Sequence, residues 1–211
     1  MTLLRMSVQE AAIGVAVTDE QQNLTAFLHP GCAAAIWRRQ PTQDFQDWVN
    51  ALDPSLLPQG RISVRRDAVR SAITKMCEAS RTPLCHQRTQ LIDDITNLVD
   101  SFSELMKASY LRLRLQVITS NACRKFHVDA ITARLVCTYR GTGTQYGIST
   151  DGNEPVRVFT VPTHAPILLR GTQWPETPCT GLLHRSPPIE GTGETRFVVV
   201  IDPISDLEDT V

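Results

Sequence analysis

The chain has 211 residues, 42% of them hydrophobic and 20% charged, with 21 Lys and Arg against 22 Asp and Glu. That mixture excludes a disordered or collagen-like chain, and a net charge of −1 gives no bulk attraction to nucleic acid or to an anionic membrane. No apolar run approaches the roughly 18–20 residues of a membrane helix, and Glu10 follows Met1 too soon for a signal-peptide core. The six cysteines, Cys32, Cys77, Cys85, Cys123, Cys137 and Cys179, are far apart and form no CxxC pair. They are expected to be reduced thiols of a cytoplasmic protein rather than a disulfide framework.

Composition shifts along the chain: residues 111–211 hold eight of the 11 Gly and eight of the 13 Pro. The first half opens with an expected strand, Ile13 to Val17, and a second apolar stretch from Ala33 to Trp37. Helical spacing of three and four follows in Phe45, Trp48, Val49 and Leu52, and again in Val69, Ala72, Ile73, Met76 and Cys77. The longest stripe is Leu91, Ile95, Leu98, Val99, Phe102, Leu105 and Met106. Asp93, Asp94, Asp100 and Glu104 fall mostly off it and read as a solvated face. The period then changes to two. Leu111, Leu113, Leu115 and Val117 alternate with Arg112, Arg114 and Gln116, which predicts a half-buried strand. Further extended segments are expected at 126–129, 131–139, 156–161, 167–169, 182–184 and 196–201, with a glycine-rich turn at Arg140 to Thr144. Short strands broken by Gly and Pro predict a β-sandwich or barrel buttressed by helices.

Phe126-His127-Val128-Asp129 is the first motif with chemistry in it. Positions i and i+2 of a strand share a face, so His127 and Asp129 can present an imidazole and a carboxylate to one point. His184, 57 residues on, supplies a third ligand before the turn Ser186-Pro187-Pro188. Two histidines and a carboxylate with open positions are the donor set of non-haem Fe(II) oxygenases, and zinc is also compatible. Arg196 lies 12 residues beyond His184. Its guanidinium can grip the far carboxylate of a 2-oxoacid bidentately, with a hydroxyl from either Thr138 or Tyr139 beside it.

In order and spacing, His127, Asp129, His184 and Arg196 resemble the jelly-roll Fe(II)/2-oxoglutarate dioxygenases. That resemblance implies iron at the first three residues and the 2-oxoglutarate tail on Arg196. Two phrases depart from it: Val198 stands where that superfamily often has Ser or Thr, and 165–171 lacks a Gly-Asp-x-x-x-Phe phrase. A second resemblance covers nearly the whole chain. Phe126 to Asp129, Leu135 to Thr144, Leu168 to Gly171 and His184 to Pro188 look like a bacterial family, the domain of unknown function numbered 1826. Its members tend to be encoded near metal-homeostasis GTPases, which gives a metal-related role some context.

The resulting expectation is an α+β chain. A double-stranded β-helix (jelly-roll, cupin-like) metal-binding barrel spans 110–211, and a helical N-terminal support spans 1–109, the two forming one compact domain. The function expected is a non-haem Fe(II)/2-oxoglutarate-dependent oxygenase acting on a small molecule or a protein. The alternative is a non-enzymatic metal-binding protein of zinc homeostasis on the same barrel. Cys123 reads as a small buried thiol. Cys77, Cys85 and His86 match no zinc-finger spacing. His164 reads as a loop histidine or a group supporting the ligands. Arg185 should face away from the site, and Trp174 should anchor a loop.

Overall fold

The computed structural model describes residues 14–149, 153–175 and 181–205. Ile13 and Cys179 fall outside them. In chain order the elements are β1 (Val15–Thr18), β2 (Ala34–Trp37), α1 (Gln43–Ala51), β3 (Gly60–Arg65), α2 (Val69–Ala79), α3 (His86–Met106), β4 (Tyr110–Ile118), β5 (Ala133–Arg140), β6 (Gln145–Ile148), β7 (Phe159–Thr160), β8 (Pro166–Arg170), β9 (Leu182–Arg185) and β10 (Arg196–Ile204). A 3-10 segment, Gln21–Leu28, links β1 to β2.

Two sheets face each other. The major sheet has the order β1-β2-β8-β5-β10-β4-β3, and the minor sheet the order β7-β6-β9. Every pairing is antiparallel except that of β1 with β2. This is the jelly-roll arrangement of two layers. It is not the closed barrel anticipated from the sequence, because the major sheet ends on β1 and β3. It also crosses the compositional divide at residues 109 and 110, since β1, β2 and β3 all lie in it.

Alternation on the strands sorts side chains into two cores. Leu111, Leu113 and Leu115 of β4, Leu135 and Cys137 of β5 and Phe197, Val199 and Ile201 of β10 face the helices. There they meet Phe45 and Val49 of α1, Ile73 of α2 and Leu91, Ile95 and Phe102 of α3. Val136, Ile167, Leu169, Val198 and Val200 point the other way and meet Tyr146 and Leu182 of the minor sheet. β10 is buried on both faces and so reads as an unbroken apolar run from Phe197 to Ile201. β4 is buried on one face only and keeps arginines on the other. The expected strand at 156–161 shrinks to Phe159–Thr160, with Val156 fully exposed.

The acidic residues of α3 divide. Asp93 pairs with Arg70, and Asp100 and Glu104 with Arg66, all at the surface as anticipated. Asp94 does not: only 18% of its side chain is exposed. It accepts two N–H bonds from Arg39, at 2.5 and 2.7 Å, and the hydroxyl of the fully buried Tyr139 at 2.5 Å. His164, buried at φ 71°, packs edge-on to Tyr139 with ring centroids 5.1 Å apart. Burial, together with Arg39, lowers its pKa to about 4, so it is a neutral core histidine. This network pins α3 to β5.

Asp94→Ala leaves the Arg39 guanidinium and the Tyr139 hydroxyl without their shared acceptor. The expected cost is about 3–5 kcal/mol of folding stability. It is read as a lower denaturation midpoint with an unchanged dependence on denaturant.

Candidate metal centre

His184 sits on β9, where alternation turns Leu182 and His184 inward and leaves Leu183 and Arg185 outward. Arg185 lies over the Phe126 ring and donates to Gln145 Oε1. His127 is in no regular strand. A single antiparallel bridge fixes it: its N–H donates to the carbonyl of His184, and the N–H of His184 donates back, both at 3.0 Å. The two imidazoles lie with centroids 4.5 Å apart. The predicted extended segment 126–129 is thus reduced to this one bridge, yet it suffices to bring both rings together.

Asp129 is positioned from a different quarter. Its loop is tied to the segment after β8 by three backbone bonds: Gly171 N–H to Thr132 O, Thr172 N–H to Asp129 O and Gln173 N–H to Ile131 O, at 2.9, 2.9 and 3.1 Å. A Cβ on Gly171 would lie 1.9 Å from the Ile131 carbonyl oxygen and 2.7 Å from that of Asp129, so glycine is required for this close approach.

The donor atoms of His127, Asp129 and His184 all lie within 4.8 Å of one another, and this is the one such group of three among the described residues. His127 Nδ1 is 2.8 Å from the carbonyl oxygen of Lys125, which can only accept. The ring proton is therefore on Nδ1, and the Nε2 lone pair is left for a metal. Asp129 Oδ2 is buried without an aligned hydrogen-bond donor, although His184 Nε2 is 3.0 Å away. An orphaned carboxylate oxygen facing imidazole nitrogens is what a cation shared between them would satisfy, so the donor set fits a divalent metal.

The electrostatics keep the ligands in their binding forms. Burial alone would raise the Asp129 pKa, but His184, Arg134 and His127 outweigh it and hold the carboxyl at about 2. Burial pushes the His184 pKa below its ordinary value, against the pull of Asp129, so the imidazole is neutral near pH 7. Arg134 of β5 lies 2.5 Å from Asp129 Oδ1 and also donates to Asp202 of β10 at 2.6 and 3.0 Å. Asp202 takes a further bond from Arg114 at 2.8 Å. Arg134, Asp202 and Gly171 were not among the residues anticipated for the site. The legible signal was a charge flanked by apolar residues inside each of two strands, at Arg134 and at Asp202.

Arg196 opens β10 with 1% of its surface exposed. Its Nε donates to the Thr142 carbonyl at 2.6 Å, and its second terminal nitrogen reaches Thr138 Oγ1 at 3.5 Å. No carboxylate lies within ion-pair distance of it among the described residues. Burial lowers its pKa to about 10, with Glu194 opposing, so it stays charged at neutral pH. The turn at 141–144 serves this residue. Glu194 accepts from both the N–H and the hydroxyl of Thr142, at 2.6 and 2.9 Å, and so fixes the carbonyl that Arg196 grips. Of the two hydroxyls considered, that of Thr138 lies beside Arg196. Plain alternation puts Tyr139 on the helix side with Ala133, Leu135 and Cys137, where it bonds Asp94. Tyr139 is therefore not part of the Arg196 pocket.

The remaining cysteine and histidine candidates lie elsewhere. Cys77 is buried in the helix-side core, Cys85 precedes α3 without capping it, and Cys123 is exposed rather than buried as expected. Trp174 packs on Phe27 and under Arg170, an anchor as expected. An apolar cavity of about 540 Å³, lined by Leu24, Trp37, Phe102 and Leu168, is on the helix side of the major sheet and holds no ligand cluster.

Two substitutions test how the carboxylate is held. Arg134→Leu should weaken metal retention about 10–100-fold while the three ligands remain. Gly171→Ala should displace the Asp129 loop and lower metal content in the same assay, elemental analysis after dialysis. Unchanged metal content in both variants would show that Asp129 is positioned by something else.

The comparisons agree with this architecture. The dioxygenase for auxin oxidation 1 of Arabidopsis thaliana, solved in its binary complex with 2-oxoglutarate, superposes with a TM-score of 0.57 at 9% identity over 95% of each chain. The rice dioxygenase for auxin oxidation gives 0.55 at 11% identity, over 94% of this chain and 85% of its own. At such identities the likeness is one of fold, the jelly roll of the 2-oxoglutarate oxygenases. No curated protein matches the chain in sequence. The family model for a protein of unknown function, DUF1826, matches residues 18–202, and the chain belongs to that family.

Proposed function

We propose that this protein is an Fe(II)- and 2-oxoglutarate-dependent oxygenase. The observation that carries the reading is the pairing of two complementary deficits on one inter-sheet face. His127, Asp129 and His184 turn unsatisfied donors to one point, and Arg196 is a buried cation without a carboxylate. A metal answers the first and a dicarboxylate the second. His127 Nε2, a carboxylate oxygen of Asp129 and His184 Nε2 hold the iron, while Arg196 and Thr138 hold the distal carboxylate of 2-oxoglutarate. When bound, the pair supplies oxygen activation driven by decarboxylation of the 2-oxoacid, which no side chain can supply. Val136, Val198 and Val200 form an apolar floor on the same face and keep the site dry. His184 and Arg134 keep Asp129 ionised, and Asp202 holds Arg134 in place to orient it. The jelly-roll fold shared with the two auxin-oxidising dioxygenases supports the reading.

Anaerobic addition of Fe(II) and 2-oxoglutarate to the purified chain tests it. The expected result is a charge-transfer absorption that needs both components and is lost in His127→Ala and His184→Ala. Arg196→Met should bind the metal normally and bind 2-oxoglutarate at least about 30-fold more weakly, the loss expected when one side of a buried charged pair is removed. Zinc in place of iron with no 2-oxoacid binding, or equal loss of metal and 2-oxoacid in Arg196→Met, would overturn the assignment.

A further inference from the structure

The face of the major sheet from which Arg134 reaches Asp129 continues onto β4 and β3, and there it is rich in arginine. Leu111, Leu113 and Leu115 turn β4 toward the helices, so Arg112 and Arg114 stand on the opposite face. On β3, Val64 belongs to the helix-side core and Ile62 packs against it, which places Arg61 on the arginine face as well. In the register of the two strands Arg61 is directly opposite Arg114. Like charges in direct cross-strand opposition destabilise a sheet, so this pairing has no structural rationale of its own.

Among the described residues, the carboxylates beside this pair are already engaged. Asp202 accepts two bonds from Arg134 and one from Arg114, so a single carboxylate serves two guanidiniums. The other acid, Asp129, is taken up by the metal centre. Arg114 Nε is buried with no acceptor. Arg61 is exposed. The patch is also continuous with the metal centre: Asp129 contacts Arg134, Arg134 contacts Asp202, and Asp202 contacts Arg114.

We propose that Arg61 and Arg114 bind an oxyanion group, a carboxylate or a phosphate, of the molecule whose oxidation takes place at the triad. This rests on the oxygenase reading and adds to it the class of substrate. Two guanidinium forks on adjacent strands match the planar or tetrahedral oxygens of such a group. The anchored end lies over β3 and β4 while the remainder extends toward β5 and the metal ligands. The 2-oxoglutarate tail on Arg196 is at the opposite end of β10 from Asp202, so the two anions do not compete for one arginine.

Calorimetric titration with hexanoate, hexyl phosphate and hexanamide tests the site. It is done on the full chain saturated anaerobically with Fe(II) and 2-oxoglutarate, and in parallel on the metal-free Arg196→Met chain. At least one oxyanion probe should bind both forms at least about tenfold more tightly than the neutral amide. The tighter of the two identifies the group as carboxylate or phosphate. Adding Arg61→Gln should weaken that binding at least about tenfold and leave metal content and 2-oxoglutarate affinity unchanged. Absence of oxyanion binding, equal binding of hexanamide, or wild-type affinity in Arg61→Gln would overturn the proposal. Failure of the oxygenase reading looks different. The wild-type chain would then not take up iron and 2-oxoglutarate, while the Arg196→Met chain would still bind the oxyanion in an Arg61-dependent way.

Discussion

A carboxylate that must ligate a cation inside a protein has to remain ionised where burial favours its neutral form. Asp129, the candidate ligand, meets that constraint through His184 and Arg134, and Arg134 in turn is held by Asp202, whose side chain is 3% exposed and which accepts three N–H bonds. The charges alternate along this line, and each member is costly to bury without the next. Such a line is a poor way to gain stability, since buried ion pairs often do no better than apolar residues of the same volume. Its value is positional. It aims Oδ1 of Asp129 at Arg134 and leaves Oδ2 without an aligned donor, next to His184.

The strand β5 shows how one sheet keeps two polar systems apart. Arg134, Val136 and Thr138 face the minor sheet, and Leu135 and Cys137 face the helices. Tyr139 lies in the helix-side core, and its hydroxyl joins Arg39 and Asp94 in a network that fastens α3 to the sheet. That network is structural, and His164 within it is a neutral packing residue. Alternation along β5 lets Tyr139 serve the helix side while Thr138, one residue earlier, serves Arg196. Metal centre and scaffold thus share a strand without sharing a residue.

Much of this was legible in the sequence, for identifiable reasons. The helical stripes of α1, α2 and α3 and the alternation of β4 are long enough to fix element type. The triad was legible because His-x-Asp, a distal His and a following Arg are chemically distinctive. The reason given for their convergence was only half right. Alternation in a strand does not bring His127 and Asp129 together. A one-residue bridge to His184 places the first, and a loop pinned against Gly171 places the second. Those are contacts between residues 39 to 57 positions apart, and no local pattern encodes them. β3 escaped notice because only Ile62 and Val64 mark its buried face. Asp94 was misassigned because position on a helical wheel shows which residues leave the main stripe, not which of them meet a second element.

Two arginines on the same inter-sheet face, one half-buried and one buried, make the final contrast. Arg134 has two carboxylates, and their attraction raises its pKa despite burial. Arg196 is more buried, has none within reach among the described residues, and its pKa falls to about 10. An unpaired buried guanidinium is a standing cost that methionine or leucine would remove, so its place in the fold calls for a ligand rather than for packing. The charge pattern then has a simple order. Lone pairs converge at the triad, and on either side of it stand cations short of anions among the described residues, at Arg196 and at Arg61 with Arg114. A divalent metal in the centre and an oxyanion at each flank would neutralise every part of that pattern at once. No single ion would do so.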